Sequence, residues 1–563
     1  MSVHIEAVTA RRVLRPADVA LLVGLVILSS AGWLWGLGFF SDDWSFLSLL
    51  LVESDGSFAD MVRVQWESGP NLRSRPTQIL LQALLVRTFG TQPLGYHLVN
   101  LAIMAALSVG VAAVARRLGA GRPAAIAVGA LALALPQYAT NRFWFAAFGF
   151  GLSLLALLIA AVLMLDAVQR TGPRALAGIA GAVAATAVAG LGYELVMPFI
   201  AVLPLVVGVR MRQDGEPLGL LFRAGAAAVW AVLLAVVAFK FSTSYGVAPP
   251  TVYSLGRFAV GSVVINLVTY GVALPVHAAM LVPRAPVIGS VLAVAGAVLL
   301  ARHLRQAGEE AGGDPVRLPT RSLLLVAAGT YGLGYALAIV SARIDFTSSG
   351  IGNRTSMAAT AGIAVAWVAL SAVVARRLPG QVGRSFAVAV AVVWLAGSLI
   401  VNGLAASFTA VTAERTRVVD IVNDALPAMT PGSLVLVHNS CPYDGLAPIL
   451  EAYWDVTGLL RLQRGTADVA GDVTTSAVVA AAAVQTSIYG VPTTYPFGTD
   501  LLLVDVRTGS VAVLDSRAAA IQAFGGEVAD YPADCPFGEE GNGVRVFATD
   551  DLYHRLGERV RGS

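Results

Sequence analysis

Residues 19–44 read VALLVGLVILSSAGWLWGLGFFSDDW. The run at 19–39 is apolar and reaches the length of about 20 residues that a helix needs to cross a bilayer. Arginines precede it at positions 11, 12 and 15, and positive charge beside a first helix keeps the N-terminus in the cytoplasm. The run has no convincing small-residue cleavage site, so it predicts a membrane anchor and not a removable signal peptide. An acidic pair, Asp42 and Asp43, follows where the chain leaves the bilayer.

The composition of the whole chain agrees with this start. Of 563 residues, 56% are hydrophobic and 13% are charged, whereas soluble domains carry about 25% charged residues. The mean hydropathy is +0.73. These values exclude a disordered chain, a collagen and an ordinary soluble enzyme, and the two cysteines exclude a disulfide-rich scaffold. The sequence therefore predicts a polytopic α-helical membrane protein.

Charge divides the chain into two domains. Residues 1–405 hold 28 basic and 16 acidic side chains (net +12), and residues 406–563 hold 10 and 19 (net −9), which sum to the overall +3. We predict a membrane domain at 1–405 and a soluble α/β domain at 406–563, a normal size for a domain. In the soluble domain the pattern predicts strands at 433–438, 501–506, 510–514 and 544–548 and helices at 411–426 and 446–462.

The membrane domain contains a series of further apolar runs. They lie at 95–115, 123–137, 146–167, 175–192, 195–209, 223–242, 258–282, 286–301, 322–341, 355–375 and 386–405. Arginines cluster in five of the connectors, and the positive-inside rule places these connectors in the cytoplasm. That arrangement gives about 11 crossings if 258–282 does not cross and 76–90 lies on the surface as an amphipathic helix. If both segments cross, the count is 13 but three of the arginine clusters lie outside, so the sequence favours 11. Either way, the loop at about 40–75 and the C-terminal domain lie outside.

The acidic pair is the strongest functional signal. Carboxylates at a membrane boundary are costly and are usually functional. Because neighbours on an extended loop point in different directions, one can face a substrate while the other faces a metal, a backbone donor or a cation. Partial desolvation raises the pKa of such a carboxylate towards the range useful to a general base. The alternative is that Asp42 and Asp43 end one helix and cap the next, since Asp is a common N-cap residue.

Four further motifs follow the pair in order: RPT at 75–77, GTQPLGYHLVN at 90–100, LPQY at 135–138 and GYEL at 192–195. Over roughly residues 18–210 this order resembles the GT-C glycosyltransferases, among them the protein O-mannosyltransferases, the aminoarabinose transferases and the actinobacterial arabinofuranosyltransferases. These membrane enzymes use a polyprenyl-phosphate sugar as donor, and the actinobacterial members often end in an external domain. One departure is the segment ATNR at 139–142, which lacks the carboxylate that some relatives carry there.

The resemblance implies an inverting glycosyltransferase of the plasma membrane that acts on its external face. It would move a sugar, such as arabinose or mannose, to a glycan, lipid or protein acceptor of the cell envelope. Asp42 would be the general base, and Asp43 would orient the acceptor, hold a metal or share the base role. The side chains expected at the substrate or its phosphate are Arg75, His97, Arg142, Glu194, Arg343 and Arg354, with Arg257 as a further boundary cation.

Each of these candidates also has a simpler interpretation. Arginine binds phosphate oxygens in bidentate geometry, but a loop arginine is equally compatible with solvent exposure or pairing to an aspartate. His97 begins a helix, where a lone histidine is more often a packing residue. Glu194 could replace the missing carboxylate at 139–142, or it could be a capped or paired structural acid.

Motifs for other chemistries do not occur in the sequence. The six histidines form no HExxH motif and the cysteines no CxxC motif. No Walker A sequence or strand-bound GxGxxG occurs, so a nucleotide-sugar donor is not supported. No cofactor is required, although Asp42 and Asp43 could hold a divalent cation such as Mg²⁺, Mn²⁺ or Ca²⁺. The expected partners are the lipid donor, the acceptor and membrane lipids, and not nucleic acid.

Two local features concern the soluble domain. Cys441 and Cys535 occur in the similar contexts SCPY and DCPF, which predicts one disulfide if the domain is external and two buried thiols otherwise. The stretch PTTYPFG at 492–498 predicts either a loop on the substrate side, where a tyrosine could stack on a sugar, or a plain turn.

Two functions of other classes are alternatives to an enzyme. The first is a transporter or flippase of envelope lipids, which should show paired broken helices or internal repeats near the midplane. No such repeat is recognisable, and the acids lie at the outer edge. The second is a non-catalytic envelope assembly protein, against which the intact acidic pair argues.

Overall fold

A computed structural model describes residues 13–243, 274–310, 319–341, 350–378, 382–425, 432–475, 477–488, 491–529 and 535. Within these ranges, helices fill the chain up to residue 425 and strands begin at residue 434. The predicted class, a polytopic α-helical membrane protein with a C-terminal α/β domain, is confirmed.

The helices are labelled here in chain order. The first eight are α1 (Pro16–Ser30), α2 (Asp43–Val52), α3 (Phe58–Ser68), α4 (Pro70–Arg73), α5 (Pro76–Phe89), α6 (Pro93–Arg117), α7 (Arg122–Ala134) and α8 (Ala139–Phe143). The next nine are α9 (Phe148–Ala167), α10 (Pro173–Gly192), α11 (Met197–Gln213), α12 (Leu220–Thr243), α13 (Leu274–Met280), α14 (Val287–Glu310), α15 (Thr320–Ser341), α16 (Ser356–Arg376) and α17 (Val382–Ala425).

Eight helices in the described ranges are long and apolar enough to cross a membrane: α6, α9, α10, α11, α12, α14, α16 and α17. Shorter apolar helices are α1, α2 and α7. The chain is therefore a multi-pass membrane protein. The number of crossings stays a prediction, because residues 244–273, which include most of the ambiguous run at 258–282, lie outside the described residues.

The first apolar run is broken, whereas the sequence predicts one span over 19–39. Helix α1 ends at Ser30, and a turn leads to a 3-10 helix at Leu34–Gly36. The indole of Trp33 donates to the carbonyl of Ser29 at 2.9 Å, and so occupies the acceptor that the next helical turn would use. At Gly32 the backbone lies so close to α14 that a Cβ would be 2.6 Å from the Cα of Gly289.

Helix α7 lies at the centre of the helical domain. Twelve of its 13 residues are buried, as expected for a helix that is apolar on every side. It packs against α6, α16 and α17. Small residues allow this close approach: a Cβ at Gly397 of α17 would lie 2.5 Å from the carbonyl oxygen of Ala134.

Ion pairs join the helix ends at one side of the domain. Asp18 of α1 is fully buried and pairs with Arg122 at 2.8 Å. Arg122 also contacts Glu310, at the end of α14, at 2.7 Å. Arg117, at the end of α6, pairs with Asp166 of α9 at 2.6 Å. Arginines predicted in cytoplasmic connectors thus bind acidic residues that the neighbouring helices carry to the same side.

Helix α17 joins the two domains. It runs for 44 residues without a proline, a length of about 66 Å, and it passes through the predicted boundary at 405/406. The separate helix predicted at 411–426 is therefore the continuation of the last membrane helix. The last turns of α17 pack against the C-terminal sheet. The domain limits 1–405 and 406–563 stay a prediction.

The C-terminal domain contains nine described strands. They are β1 (Leu434–His438), β2 (Tyr443–Asp444), β3 (Ala447–Pro448), β4 (Ala470–Val473), β5 (Val478–Val479), β6 (Ala483–Ile488), β7 (Val491–Pro496), β8 (Leu501–Asp505) and β9 (Val511–Val513). The main sheet has the order β4-β1-β8-β9. Strands β4 and β8 run parallel to β1, and β9 is antiparallel to β8. Two helices accompany the strands, α18 (Tyr453–Arg464) and α19 (Arg517–Phe524).

Three of the predicted strands are confirmed as β1, β8 and β9, while the strand predicted at 544–548 lies outside the described residues. The helix predicted at 446–462 begins only at Tyr453, because residues 447–448 pair with β2. The loop predicted at 492–498 is largely strand β7, which pairs with β6. Tyr495 is buried there and donates to Asp472 at 2.9 Å, so its ring is not available to stack on a sugar.

Cys441 and Cys535 form a disulfide across 94 residues, with their Cα atoms 5.5 Å apart. The predicted pairing is thus present. A disulfide typically contributes about 2–4 kcal/mol to stability, and the contribution grows with the length of the loop that it closes. It joins the segment after β1 to the segment that follows α19.

Thiol labelling of the native protein is expected to modify neither cysteine until a reductant is added. The chain has two cysteines, so the mass of the intact protein before and after maleimide treatment gives the result directly. A mass increase without a reductant would contradict the disulfide.

Candidate active site

The acidic pair does not lie in an extended loop. It lies at the start of a helix, where the capping alternative places it, although the Asp42 side chain makes no cap hydrogen bond. Ser41 has φ of +46°, a left-handed conformation that is uncommon for residues other than glycine. Asp42 occupies the N-cap position of α2, and Asp43 is the first helical residue. With ten residues, α2 is too short to cross a membrane. The turn at Ser41 directs the two carboxylates to different surroundings.

Asp43 is fully buried and is held by the backbone. Its carboxylate accepts hydrogen bonds from the N–H groups of Phe40 (2.9 Å), Phe145 (3.3 Å) and Ala146 (2.9 Å). Burial and the charge of Asp42 raise the pKa of Asp43 above its usual range, while these three donors oppose the rise. Both oxygens already accept hydrogen bonds, so Asp43 fixes the pair to the start of α9.

Asp42 has a different environment. Its side chain is half-buried, and its Oδ1 atom is buried without a hydrogen-bond partner among the residues that the structure describes. Burial raises the pKa of Asp42 to about 6. The positive charges of Arg354 and Arg75 oppose this rise, and the negative charge of Glu451 adds to it. A carboxylate with a pKa near 6 is partly to mostly ionised near neutral pH and can accept a proton.

A cationic cluster lies beside Asp42. Arg75 donates to both carboxylate oxygens of Glu194, with its Nε 3.1 Å from Oε2, and its guanidinium stacks on the ring of Tyr193 at 4.1 Å. Lys240 of α12 donates to the carbonyl of Ser74 at 2.7 Å and lies 3.5 Å from Glu194. Two cations thus share one anion, which leaves this cluster with a net positive charge.

Glu194 is therefore a paired acid. Its carboxylate binds Arg75 and Lys240, as expected if Glu194 is a paired structural acid. A role as a replacement catalytic acid is not favoured, because both of its oxygens already contact cations. Its position just before α11 nevertheless brings the GYEL motif to the RPT motif, although Arg75 and Glu194 are 119 residues apart in the sequence.

The C-terminal domain contacts the acidic pair through Ser41. Ser41 donates to Oε2 of Glu451 at 2.9 Å, and the indole of Trp454 donates to the Ser41 hydroxyl at 3.2 Å. Tyr443 donates to the other oxygen of Glu451. Asp455 accepts from the backbone N–H of Glu451 at 2.6 Å. The residue next to the acidic pair is thus bound by the soluble domain.

Arg415 of α17 lies between the two domains. It is buried, and its guanidinium stacks over Trp44 at 4.9 Å and Phe40 at 5.3 Å. The negative charges of Asp455 and Asp43 both act on it. A buried arginine between these acids reduces the repulsion among them.

His97 and the HLVN motif hold the backbone around the pair. The Nε2 atom of His97 donates to the carbonyl of Gly38 at 2.9 Å. Asn100 donates to the carbonyls of Asn141 (3.2 Å) and Arg142 (3.0 Å). The motif therefore joins α6 to the segments before α2 and in α8, and the bond from Nε2 favours the packing interpretation of His97.

Arg142 is placed away from the cationic cluster. It is buried, donates to the carbonyl of Leu133 and to the hydroxyl of Tyr138 (2.8 Å), and stacks on the Tyr138 ring at 4.9 Å. These bonds favour a structural role over phosphate binding.

Arg354 stands at the start of α16, and its charge is the strongest of those that lower the pKa of Asp42. Arg343 and Arg257 lie outside the described residues.

Four residues of the site are not predicted from the sequence: Lys240, Arg415, Glu451 and Asp455. Lys240 carries one signal, because it is the only lysine among 38 basic residues. The others lie more than 370 residues from the acidic pair, and no local pattern marks them. In the part of the chain that the structure describes, no group of three or more His, Cys, Asp or Glu side chains could hold a metal.

The site lies at the end of the helices opposite to the arginine ion pairs. Helix α6 begins at the His97 side and ends at Arg117, and α9 begins beside Asp43 and ends with Asp166 at Arg117. Helix α16 similarly follows Arg354 and ends at Arg376. The acidic pair and the arginine-rich helix ends therefore face opposite sides of the membrane domain.

No protein-family model matches the sequence. No curated protein matches it. Among solved structures, the chain is similar to the crystal structure of ArnT from Cupriavidus metallidurans bound to undecaprenyl phosphate, with 14% identity, a TM-score of 0.36, and coverage of 80% of this chain and 89% of that chain. The apo state of the same protein matches with 17% identity, a TM-score of 0.37, and coverage of 80% and 88%.

Proposed function

We propose that this protein is a GT-C glycosyltransferase that transfers a sugar from a polyprenyl-phosphate donor to a hydroxyl acceptor. The observation that carries the proposal is Asp42, a carboxylate with a pKa near 6 and a buried oxygen without a described partner, beside a cluster of cations. The order of motifs in the sequence supports the same family. A base and an anion site side by side are what transfer from a sugar phosphate needs.

In the proposed reaction Asp42 takes the proton of the acceptor hydroxyl. The acceptor oxygen attacks the anomeric carbon from the face opposite the phosphate, and the bond between that carbon and the phosphate oxygen breaks. One displacement inverts the anomeric configuration. The polyprenyl phosphate leaves as an anion, and the proton stays on Asp42 until solvent removes it. No metal has a part in this scheme.

The departing phosphate would bind at the cationic side of the site. Arg354 and Arg75 already act electrostatically on the Asp42 carboxylate, and Lys240 shares Glu194 with Arg75. Positive charge that is fixed before the reaction stabilises negative charge that develops on the leaving group. We expect Arg354 to contact the phosphate, with Arg75 and Lys240 supplying the surrounding charge.

We also propose that the site faces the outside of the plasma membrane. The support is that the arginine-bearing helix ends lie opposite Asp42, since such ends remain in the cytoplasm. The disulfide of the C-terminal domain agrees with an oxidising compartment. The acceptor would then be a glycan, lipid or protein of the cell envelope.

Arg354→Gln is expected to weaken binding of polyprenyl phosphate about tenfold or more, because a hydrogen bond to a charged group contributes about 1.5–3 kcal/mol. Native mass spectrometry of the purified protein with polyprenyl phosphate measures the bound fraction. Arg354→Lys keeps the charge and should bind more tightly than Arg354→Gln. Arg87→Gln, a change of an exposed arginine on α5, is the control and should bind as wild type does.

Two results would count against the proposal. The first is a wild-type protein that binds neither polyprenyl phosphate nor any member of a panel of polyprenyl-phosphate sugars. The second is an Arg354→Gln variant with unchanged affinity, which would place the phosphate elsewhere. Loss of sugar from one lipid of the panel, with added acceptor, would identify the donor.

A further inference from the structure

The C-terminal domain holds the residue that precedes Asp42. Ser41 adopts φ of +46°, a conformation that a serine does not favour in isolation. Two groups of the soluble domain bind its hydroxyl, the Glu451 carboxylate at 2.9 Å and the Trp454 indole at 3.2 Å. Because Ser41 and Asp42 are adjacent, a change in the Ser41 backbone moves the Asp42 carboxylate.

Glu451 is itself held from several directions. It is buried, Tyr443 donates to its second oxygen, and its backbone N–H donates to Asp455 at 2.6 Å. Asp455 lies in the first turn of α18. The carboxylate that binds Ser41 is therefore fixed relative to α18.

Helix α18 in turn packs closely on α2. Gly458 meets the backbone of α2 so closely that a Cβ there would lie 2.4 Å from the carbonyl carbon of Trp44. At the far end of α2, Arg461 pairs with Glu53 at 2.7 Å. Helix α2 is thus attached to the soluble domain at three points: at Ser41, at Trp44, which lies against Gly458, and at Glu53.

We propose that Glu451 is a positioning residue for Asp42, through which the C-terminal domain completes the active site. The inference rests on the proposed role of Asp42 as the base. Glu451 keeps Ser41 in its left-handed conformation, and this conformation aims Asp42 at the acceptor hydroxyl. Without the domain, α2 would keep its helical residues but lose the geometry of its first turn.

Glu451 also belongs to the charges that surround Asp42. Within the described ranges, the charged groups that act on Asp42 include Arg354, Arg75, Glu451, Asp43 and Asp455. Three of them are acids, of which Glu451 and Asp455 come from the soluble domain. The Glu451 carboxylate accepts a hydrogen bond directly from Ser41, whereas Asp455 bonds to the backbone of Glu451. Glu451, and not Asp455, is therefore the residue that contacts the turn before Asp42.

A double-mutant cycle tests the proposal. Ser41→Ala and Glu451→Ala should each lower kcat about 10- to 100-fold, the size of effect that a small misplacement of a reacting group produces. The double variant should be no slower than the slower single variant, because both changes break the same contact. The KM for the lipid donor should change little, since the cationic cluster is untouched. Glu451→Gln keeps the shape of the side chain and should fold if Glu451→Ala does not.

The matched control is Glu53→Gln, which removes the ion pair at another contact between α2 and α18 and should leave kcat unchanged. Additive losses in the cycle, or an equal loss in Glu53→Gln, would overturn the proposal, because either would show general loosening of the interface.

A second readout does not depend on transfer. Hydrogen exchange of the backbone amides at 38–46 should be faster in Glu451→Ala and Ser41→Ala than in wild type and in Glu53→Gln. Unchanged exchange would refute the tether even if kcat fell. If the wild-type protein transfers no sugar but the variants that break the tether still exchange faster than wild type, the proposed function is refuted and the tether is supported.

Discussion

Replacing Asp42 by asparagine is expected to lower sugar transfer about 10²- to 10⁴-fold, the range over which a general base contributes. Asparagine has nearly the same shape but cannot take the proton of the acceptor hydroxyl. The fold should be unaffected, because the buried Oδ1 atom of Asp42 has no described hydrogen-bond partner to lose. Transfer is measured as loss of sugar from the lipid donor, and folding is measured by thermal unfolding.

The same assay has an expected pH dependence. The pKa of Asp42 is near 6, and the base works only when it is ionised. Below pH 6 kcat/KM should therefore fall about tenfold per pH unit, and above about pH 7 it should become constant. The residual activity of Asp42→Asn should lack this acidic limb.

The control for this prediction is Asp468→Asn, the same change at an exposed position of the C-terminal domain. It should transfer sugar as wild type does. An Asp42→Asn variant with full activity would refute the assignment of the base.

Replacing Asp43 by alanine is expected to destabilise the protein by about 3 kcal/mol or more. The change leaves the N–H groups of Phe40, Phe145 and Ala146 without their acceptor, and each buried donor without a partner costs about 1–3 kcal/mol. Asp43→Asn keeps one acceptor oxygen and should lose less. The amount of monodisperse folded protein and its unfolding temperature measure the effect.

Asp468→Ala is the control for Asp43→Ala and should be as stable as wild type, because its side chain is exposed. If Asp43→Ala were fully stable but inactive, Asp43 would belong to the chemistry and not to the support of the pair. The two acids are therefore distinguished by opposite outcomes, with activity lost at Asp42 and stability lost at Asp43.

The sequence could not show this division between the two acids. Adjacent aspartates are chemically identical, and the expectation of an extended loop leaves open which one faces the substrate. The structure separates them because Ser41 is left-handed and α2 begins at once. Three backbone donors then surround Asp43, and these donors come from residues 40, 145 and 146.

The sequence by itself determined the class of the protein, most of its long apolar helices, the α/β nature of the last part and the position of the acidic pair. These features follow from local properties: long apolar runs, alternating short strands and charges at the ends of runs. The tertiary structure alone decided which residues join the site. Lys240, Arg415 and Glu451 join the site through contacts with Glu194, Trp44 and Ser41, and only because distant parts of the chain pack there. Packing of this kind depends on contacts across hundreds of residues, which no local pattern contains.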